Sequence, residues 1–136
     1  MTQENKELLL KDLCARLPYK VICKVDKIKF EGELREIELS YNMARLYNVE
    51  GDESENVYIY DCKPYLFPMS SMTEEQKKEY DSIIYHDIEL HCERYYNVID
   101  VDCYEELHDF YHKNHLDYRN LIGIGLAIDA TGLNIY

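Results

Sequence analysis

Two prolines four residues apart, Pro64 and Pro68, stand near the middle of a 136-residue chain. Neither has an amide hydrogen to give to a helix or a sheet ladder, and each holds its own φ at about −65°. The stretch Lys63-Pro64-Tyr65-Leu66-Phe67-Pro68-Met69-Ser70-Ser71-Met72 therefore reads as an extended crossover, not as regular structure through both rings. It divides the chain by periodicity. Before it, apolar residues mostly alternate; after it, they recur at helical spacing.

In the first half, Leu9, Leu13 and Leu17 fall one turn apart, with Leu10 and Cys14 beside them, which predicts a helix over 3–17 stopped by Pro18. Val21, Cys23 and Val25 then alternate with Lys20, Ile22 and Lys24, the pattern of a half-buried strand. From Ile28 to Tyr41 the alternation changes phase: Phe30 and Leu34 are even, whereas Ile37, Leu39 and Tyr41 are odd. One flat strand cannot keep both sets on one face, so a bulge near Gly32 or a turn at Glu31-Gly32-Glu33 is expected. Met43–Val49 and Asn56–Asp61 follow as strands, separated by an acidic turn. In the second half, Thr73 and Gln76 form a capping box for a helix reaching about His86 or Leu90. Asp102 with Glu105 opens a third helix to about Asn114; a glycine-ended turn and Leu126-Ala127-Ile128, a short strand or extended tail, close the reading.

The fold class is thus α+β: an N-terminal helix, an antiparallel meander of three to five strands, then two or three helices packed on it. Closure of the meander into a small barrel is left open. A length of 136 residues with 46% apolar residues suits one domain over 1–136, made of a β-rich half (1–61), the crossover (62–72) and an α-rich half (73–136). Each half alone is small for a core, so the two are expected to share one.

Charge narrows the function classes. The net charge is −12, with +3 over residues 1–30, −7 over 31–61 and −8 over 62–136. A phosphate backbone is repelled by most of such a surface. Only Lys20, Lys24, Lys27 and Lys29 offer a basic stripe, so direct nucleic-acid binding is the least favoured reading. No apolar run approaches the ~20 residues of a membrane span, and the polar start with no small-residue cleavage site speaks against a signal peptide. Five cysteines, an odd number with no CxxC pair, point to reduced, mostly buried thiols and a cytoplasmic location.

Several groups carry chemistry that has to be weighed against packing. His108, His112 and His115 recur near helical spacing and could hold zinc or another divalent ion, with Glu105 or Asp109 adding a carboxylate. Asp109 stands where a zincin has glutamate, and solvent-facing histidines on an acidic helix explain the spacing equally. No cofactor is expected on balance. His86, His91 and Cys92 form a second cluster, poorly spaced for one helical face. Asp117-Tyr118-Arg119 is either a polar recognition spot or a helix cap with an anchoring ion pair. Tyr65, Leu66 and Phe67 are either a docking strip held extended by the prolines or a staple across the core. Gly123-Ile124-Gly125 lacks the remaining features of a phosphate loop. Fourteen tyrosines without tryptophan suit sheet faces and contact surfaces alike.

Three phrases are also familiar. Lys63 to Thr73, the opening Lys11-Asp12-Leu13-Cys14-Ala15-Arg16-Leu17-Pro18-Tyr19, and the tail His115-Leu116-Asp117-Tyr118-Arg119-Asn120-Leu121-Ile122 with Gly125-Leu126-Ala127 resemble those of an uncharacterised family of small proteins. That family is found in gut Bacteroidetes, their phages and mobile elements. This chain has Leu116 where the family pattern has an aromatic before Asp117-Tyr118. The resemblance implies a bacterial or phage cytoplasm and an accessory role, and brings no catalytic residue. The favoured function is a non-enzymatic interaction or accessory protein with a protein partner. The alternatives are an acidic, nucleic-acid-mimicking inhibitor of a nucleic-acid-binding protein and a metal-dependent enzyme using the helix-borne histidines.

Overall fold

The computed structural model describes residues 1–91 and 101–136. Helix α1 spans Gln3–Arg16; Thr2 caps it by accepting the Asn5 amide at 3.1 Å. Its inward stripe carries Leu9 and Leu13, and between and beyond them Asp12 and Arg16, all buried. A 3-10 turn containing Pro18, Leu17–Tyr19, leads into the sheet.

Strands β1 (Ile22–Val25), β2 (Phe30–Glu38), β3 (Met43–Tyr47) and β4 (Ser54–Tyr58) form the antiparallel meander. The first two hairpins share one device. A three-residue 3-10 turn, Asp26–Ile28 or Leu39–Tyr41, ends on a left-handed residue, Lys29 (φ 51°) or Asn42 (φ 53°), which re-aims the chain into the next strand. Asparagine tolerates that conformation; lysine adopts it at a cost of about 1 kcal/mol.

Of the two expected causes of the phase change in β2, a bulge or a turn, the structure has the bulge, placed just after Gly32. The strand runs unbroken through Glu31-Gly32-Glu33, and its register against β3 slips between Leu34 and Glu36. The extra residue brings the odd-numbered Ile37, partly buried against the core, to the face that Leu34 occupies. Gly32 serves another purpose: a Cβ there would lie 2.5 Å from the Tyr47 carbonyl oxygen, so the close approach of backbone excludes a side chain.

The crossover is a correction of a larger kind. Lys63–Pro68 is strand β5, through both prolines. It pairs antiparallel with β1 at Lys63 and Pro64 and parallel with two short strands, β6 (Leu116–Asp117) and β7 (Ile128–Asp129). The Phe67 amide donates to the His115 carbonyl (2.8 Å), and the Leu66 carbonyl accepts from Ala130 (2.8 Å). Successive residues face opposite edges, so β6 and β7 lie on the two sides of β5. Two prolines fit because three short partners share the ladder, leaving few amides to supply at any one point. Among the described residues the sheet has seven strands in the order β4-β3-β2-β1-β5-β6, with β7 also on β5. It is open, not closed into a barrel.

Helix α2 spans Glu74–His91 and starts on the expected capping box: Thr73 Oγ accepts the Gln76 amide (3.1 Å) and Gln76 Oε1 accepts the Thr73 amide (2.9 Å). Gln76 also reaches Asn114 (3.2 Å), just past helix α3, Val101–Lys113. That helix already includes Val101, so Asp102 lies inside its first turn and not at the cap. Leu116–Gly125 begins as strand β6 before its glycine-ended turn, in which Gly125 has φ 80°.

The main core joins Leu9 and Leu13 of α1 to Cys23, Val25, Leu34, Leu46, Ile59 and Leu66 of the sheet region and to Leu121, Leu126 and Ala127 of the tail. A second cluster packs Leu107, Phe110, Tyr111 and Leu116 against Met69, Met72 and Tyr80. Burial pushes the Cys62 thiol up to about 12 and raises that of Cys23 well above its ordinary value; both are inert packing groups. Among the described residues no helix is long and apolar enough to cross a membrane.

Candidate functional site

The residues singled out in the tail meet at a buried ion cluster under α1. Arg16 Nε lies 2.7 Å from Asp12 Oδ2, both side chains wholly buried, and Arg16 Nη2 donates to the Leu116 carbonyl at 2.7 Å. Arg119 Nε stands 3.4 Å from Asp12 Oδ1, an ion pair by distance without the alignment of a hydrogen bond. The Tyr118 hydroxyl receives Arg119 Nη2 (2.9 Å) and lies 2.8 Å from His112 Nε2. Its ring has Arg16 and Arg119 over it at 5.5 and 5.0 Å, and Tyr111 stacked on it at 4.6 Å. Asp117 is spent on the backbone, its two oxygens accepting the amides of Leu121 (2.8 Å) and Ile122 (2.9 Å). Asp117 and Arg119 thus make the cap and anchoring ion pair that were the packing alternative for this triplet.

Two guanidiniums face one carboxylate, so the cluster is net positive. That charge, added to burial, acts on the histidines. His112 is held down to about 4 by burial first, then by Arg16, His108 and Arg119. His115 is also lowered to about 4, by burial and then Arg16, and His108 is lowered by burial and Arg119. His108 and His112 bring their ring centroids to 5.9 Å, but His115 does not join them. His112 is engaged by Tyr118. His115 lies past the end of α3 in the left-handed region (φ 53°), with its ring stacked on Tyr136 at 3.7 Å. Among the described residues no group of three or more His, Cys, Asp or Glu is placed to hold a metal ion. The His86, His91 and Cys92 cluster lies outside the residues whose side chains are described. Of the basic stripe, Lys24 pairs with Asp26 (3.4 Å) and Lys27 with Asp61 (2.9 Å).

The docking strip turns inward. Leu66 is fully buried in the main core, Tyr65 is buried with its hydroxyl donating to Glu31, and Phe67 is half-buried 6.0 Å from the Tyr136 ring. Of the two readings of this strip, the packing observed is that of a staple.

Three large exposed side chains gather at the β2–β3 end of the sheet. Leu39 is 63% exposed, Tyr41 70% and Tyr58 61%. The register sets them together: Leu39 and Tyr41 form the β2–β3 turn, and Tyr58 pairs with Met43, the first residue after it. Beside them runs a shallow groove of about 240 Å³ lined by Glu36, Ile37, Glu38, Met43, Arg45 and Asn56. Arg45 is tied down, donating to Asn56 (2.9 Å) and lying 3.7 Å from Glu36. At this end Glu36 and Glu38 are both exposed, opposite Arg45 and Met43. The arrangement can grip apolar and aromatic groups and attract positive charge; it has no nucleophile paired with a base. Sequence reasoning missed it because Leu39 and Tyr41 continue the alternation of β2 and read as its buried face. The available signal was Asn42, a residue suited to the left-handed end of a turn.

Compared with known proteins, the chain matches no family model, no curated protein and no solved structure. Function is therefore argued from geometry.

Proposed function

We propose that this chain is a non-enzymatic accessory protein of a bacterial or phage cytoplasm that recognises a basic protein partner through the aromatic end of its sheet. The observation that carries the reading is the exposure of Leu39, Tyr41 and Tyr58 at one end of the sheet, with the carboxylates of Glu36 and Glu38 beside them. Exposed tyrosine and leucine at one place are the residues an interface buries, and their acidic surroundings select the sign of the partner. The test is capture of a partner from the source cell with Tyr41→Ala and Tyr58→Ala as controls. The expected result is loss of the partner with unfolding midpoints unchanged, since both side chains face water. Capture undiminished in the double variant refutes the reading.

A second reading is favoured by the distribution of acid. Glu31, Glu36, Glu38, Glu50, Asp52, Glu53 and Glu55 are all exposed within one segment, as an occupant of a nucleic-acid groove requires. It predicts that the partner releases nucleic acid when this protein binds. A partner that holds both at once excludes it.

A further inference from the structure

Strand β4 ends the sheet, and its backbone is available. The Asn48 amide donates to the Glu53 carbonyl (3.0 Å) and the Ile59 amide to the Asn42 carbonyl (2.9 Å), so the odd-numbered residues from 53 to 59 turn their polar backbone groups toward β3. By alternation, Ser54, Asn56 and Tyr58 turn theirs outward. Among the described residues β4 pairs only with β3, and the Tyr58 carbonyl alone meets a weak donor, the Cys62 thiol at 3.7 Å. Soluble proteins usually blunt such an edge with lysine, proline or a bulge; Ser54–Tyr58 contains none of these.

We propose that β4 takes up an extended, basic segment of the protein partner as an additional strand, with Tyr58 and Tyr41 gripping its apolar side chains. This rests on the reading above and specifies the partner's form. An added strand would find outward amides at alternate positions for its main chain and exposed aromatics at one end for its side chains. Charge decides the occupant. Residues 31–61 carry −7, so a second copy would bring two edges of the same sign together, whereas lysine or arginine at alternate positions would lie beside Glu53 and Glu55.

The experiment titrates the intact protein with an end-blocked heptapeptide alternating lysine and valine, its glutamate counterpart, and the lysine peptide N-methylated on alternate amides. Amide exchange is followed by NMR. The expected result is protection of Ser54, Asn56 and Tyr58 by the lysine peptide only, weakening as salt is raised, with affinity cut by about tenfold or more in Asn56→Pro. The methylated peptide tests the same bonds without altering the protein, so a poorly folding Asn56→Pro does not blunt the test. Binding of the methylated peptide as tight as that of its parent, no protection at these amides, or protection that grows with protein concentration without peptide would each overturn strand addition. If strand addition fails while partner capture still depends on Tyr41 and Tyr58, the functional reading stands. If capture ignores both tyrosines, it falls whatever the peptide does.

Discussion

Replacing Asp12 by alanine removes the carboxylate that faces both Arg16 and Arg119. Arg119 retains 15% side-chain exposure and can turn toward water; Arg16 is wholly buried and cannot. Its Nη2 keeps the Leu116 carbonyl, but its charge loses its counterion. An uncompensated buried charge of this kind costs about 3–5 kcal/mol. Against a total stability of about 5–15 kcal/mol, that is a large fraction, and it lowers the thermal midpoint by roughly 10–20 °C for a chain of this size. The assay is urea unfolding followed by circular dichroism, comparing midpoints at constant slope. Asp12→Leu with Arg16→Met is the control, because it removes both wholly buried charges; it leaves the Leu116 carbonyl short of a donor, at about 1 kcal/mol, and Arg119 to turn toward water. It should recover most of the loss. A cost under about 1 kcal/mol for Asp12→Ala, or a double variant no better than the single, would refute the assignment of a buried, mutually dependent pair.

Lys29→Gly should stabilise by up to about 1 kcal/mol by relieving a left-handed lysine, whereas Gly32→Ala should destabilise by about 1–3 kcal/mol because the new methyl meets the Tyr47 backbone; the two midpoints should shift in opposite directions. Thr73→Ala should cost about 1 kcal/mol at the start of α2, and Gln76→Ala more, since it also frees Asn114, both read by chemical denaturation. His112 and His115, with folded values near 4 and an ordinary value of 6.5, bind fewer protons folded than unfolded between those limits. Stability should therefore fall as pH drops from about 6.5 toward 4. His115→Asn, which tolerates the left-handed backbone, should flatten that slope in a series of urea midpoints.

Local features were readable where one residue type has one use. The leucine stripe of α1 and the Thr73–Gln76 box announced themselves because spacing alone decides them. Asp12 and Arg16 were legible in principle: opposite charges one turn apart, inside an apolar stripe, have only each other to neutralise them. What could not be read depends on partners remote in sequence. β5 is a strand because residues 116–117 and 128–129 come back to both its edges, and nothing within Lys63–Pro68 says so. The bulge in β2 was visible as a change of phase, but its place was set by the pairing with β3. The exposed end was hidden for the opposite reason: alternation that signals burial along a strand continued through a turn.

The two prolines of β5 bear on how the molecule is made. Leu116 and Ile128 reach this strand from 49 and 63 residues downstream of their partners Phe67 and Tyr65. A nascent chain emerging from the ribosome must hold that strand half-dressed until both arrive, the period when stray pairing leads to aggregates. A segment in which two of six positions lack an amide is a poor template for an intruder. The rings that interrupt regularity on paper act, during synthesis, as placeholders for neighbours still to come.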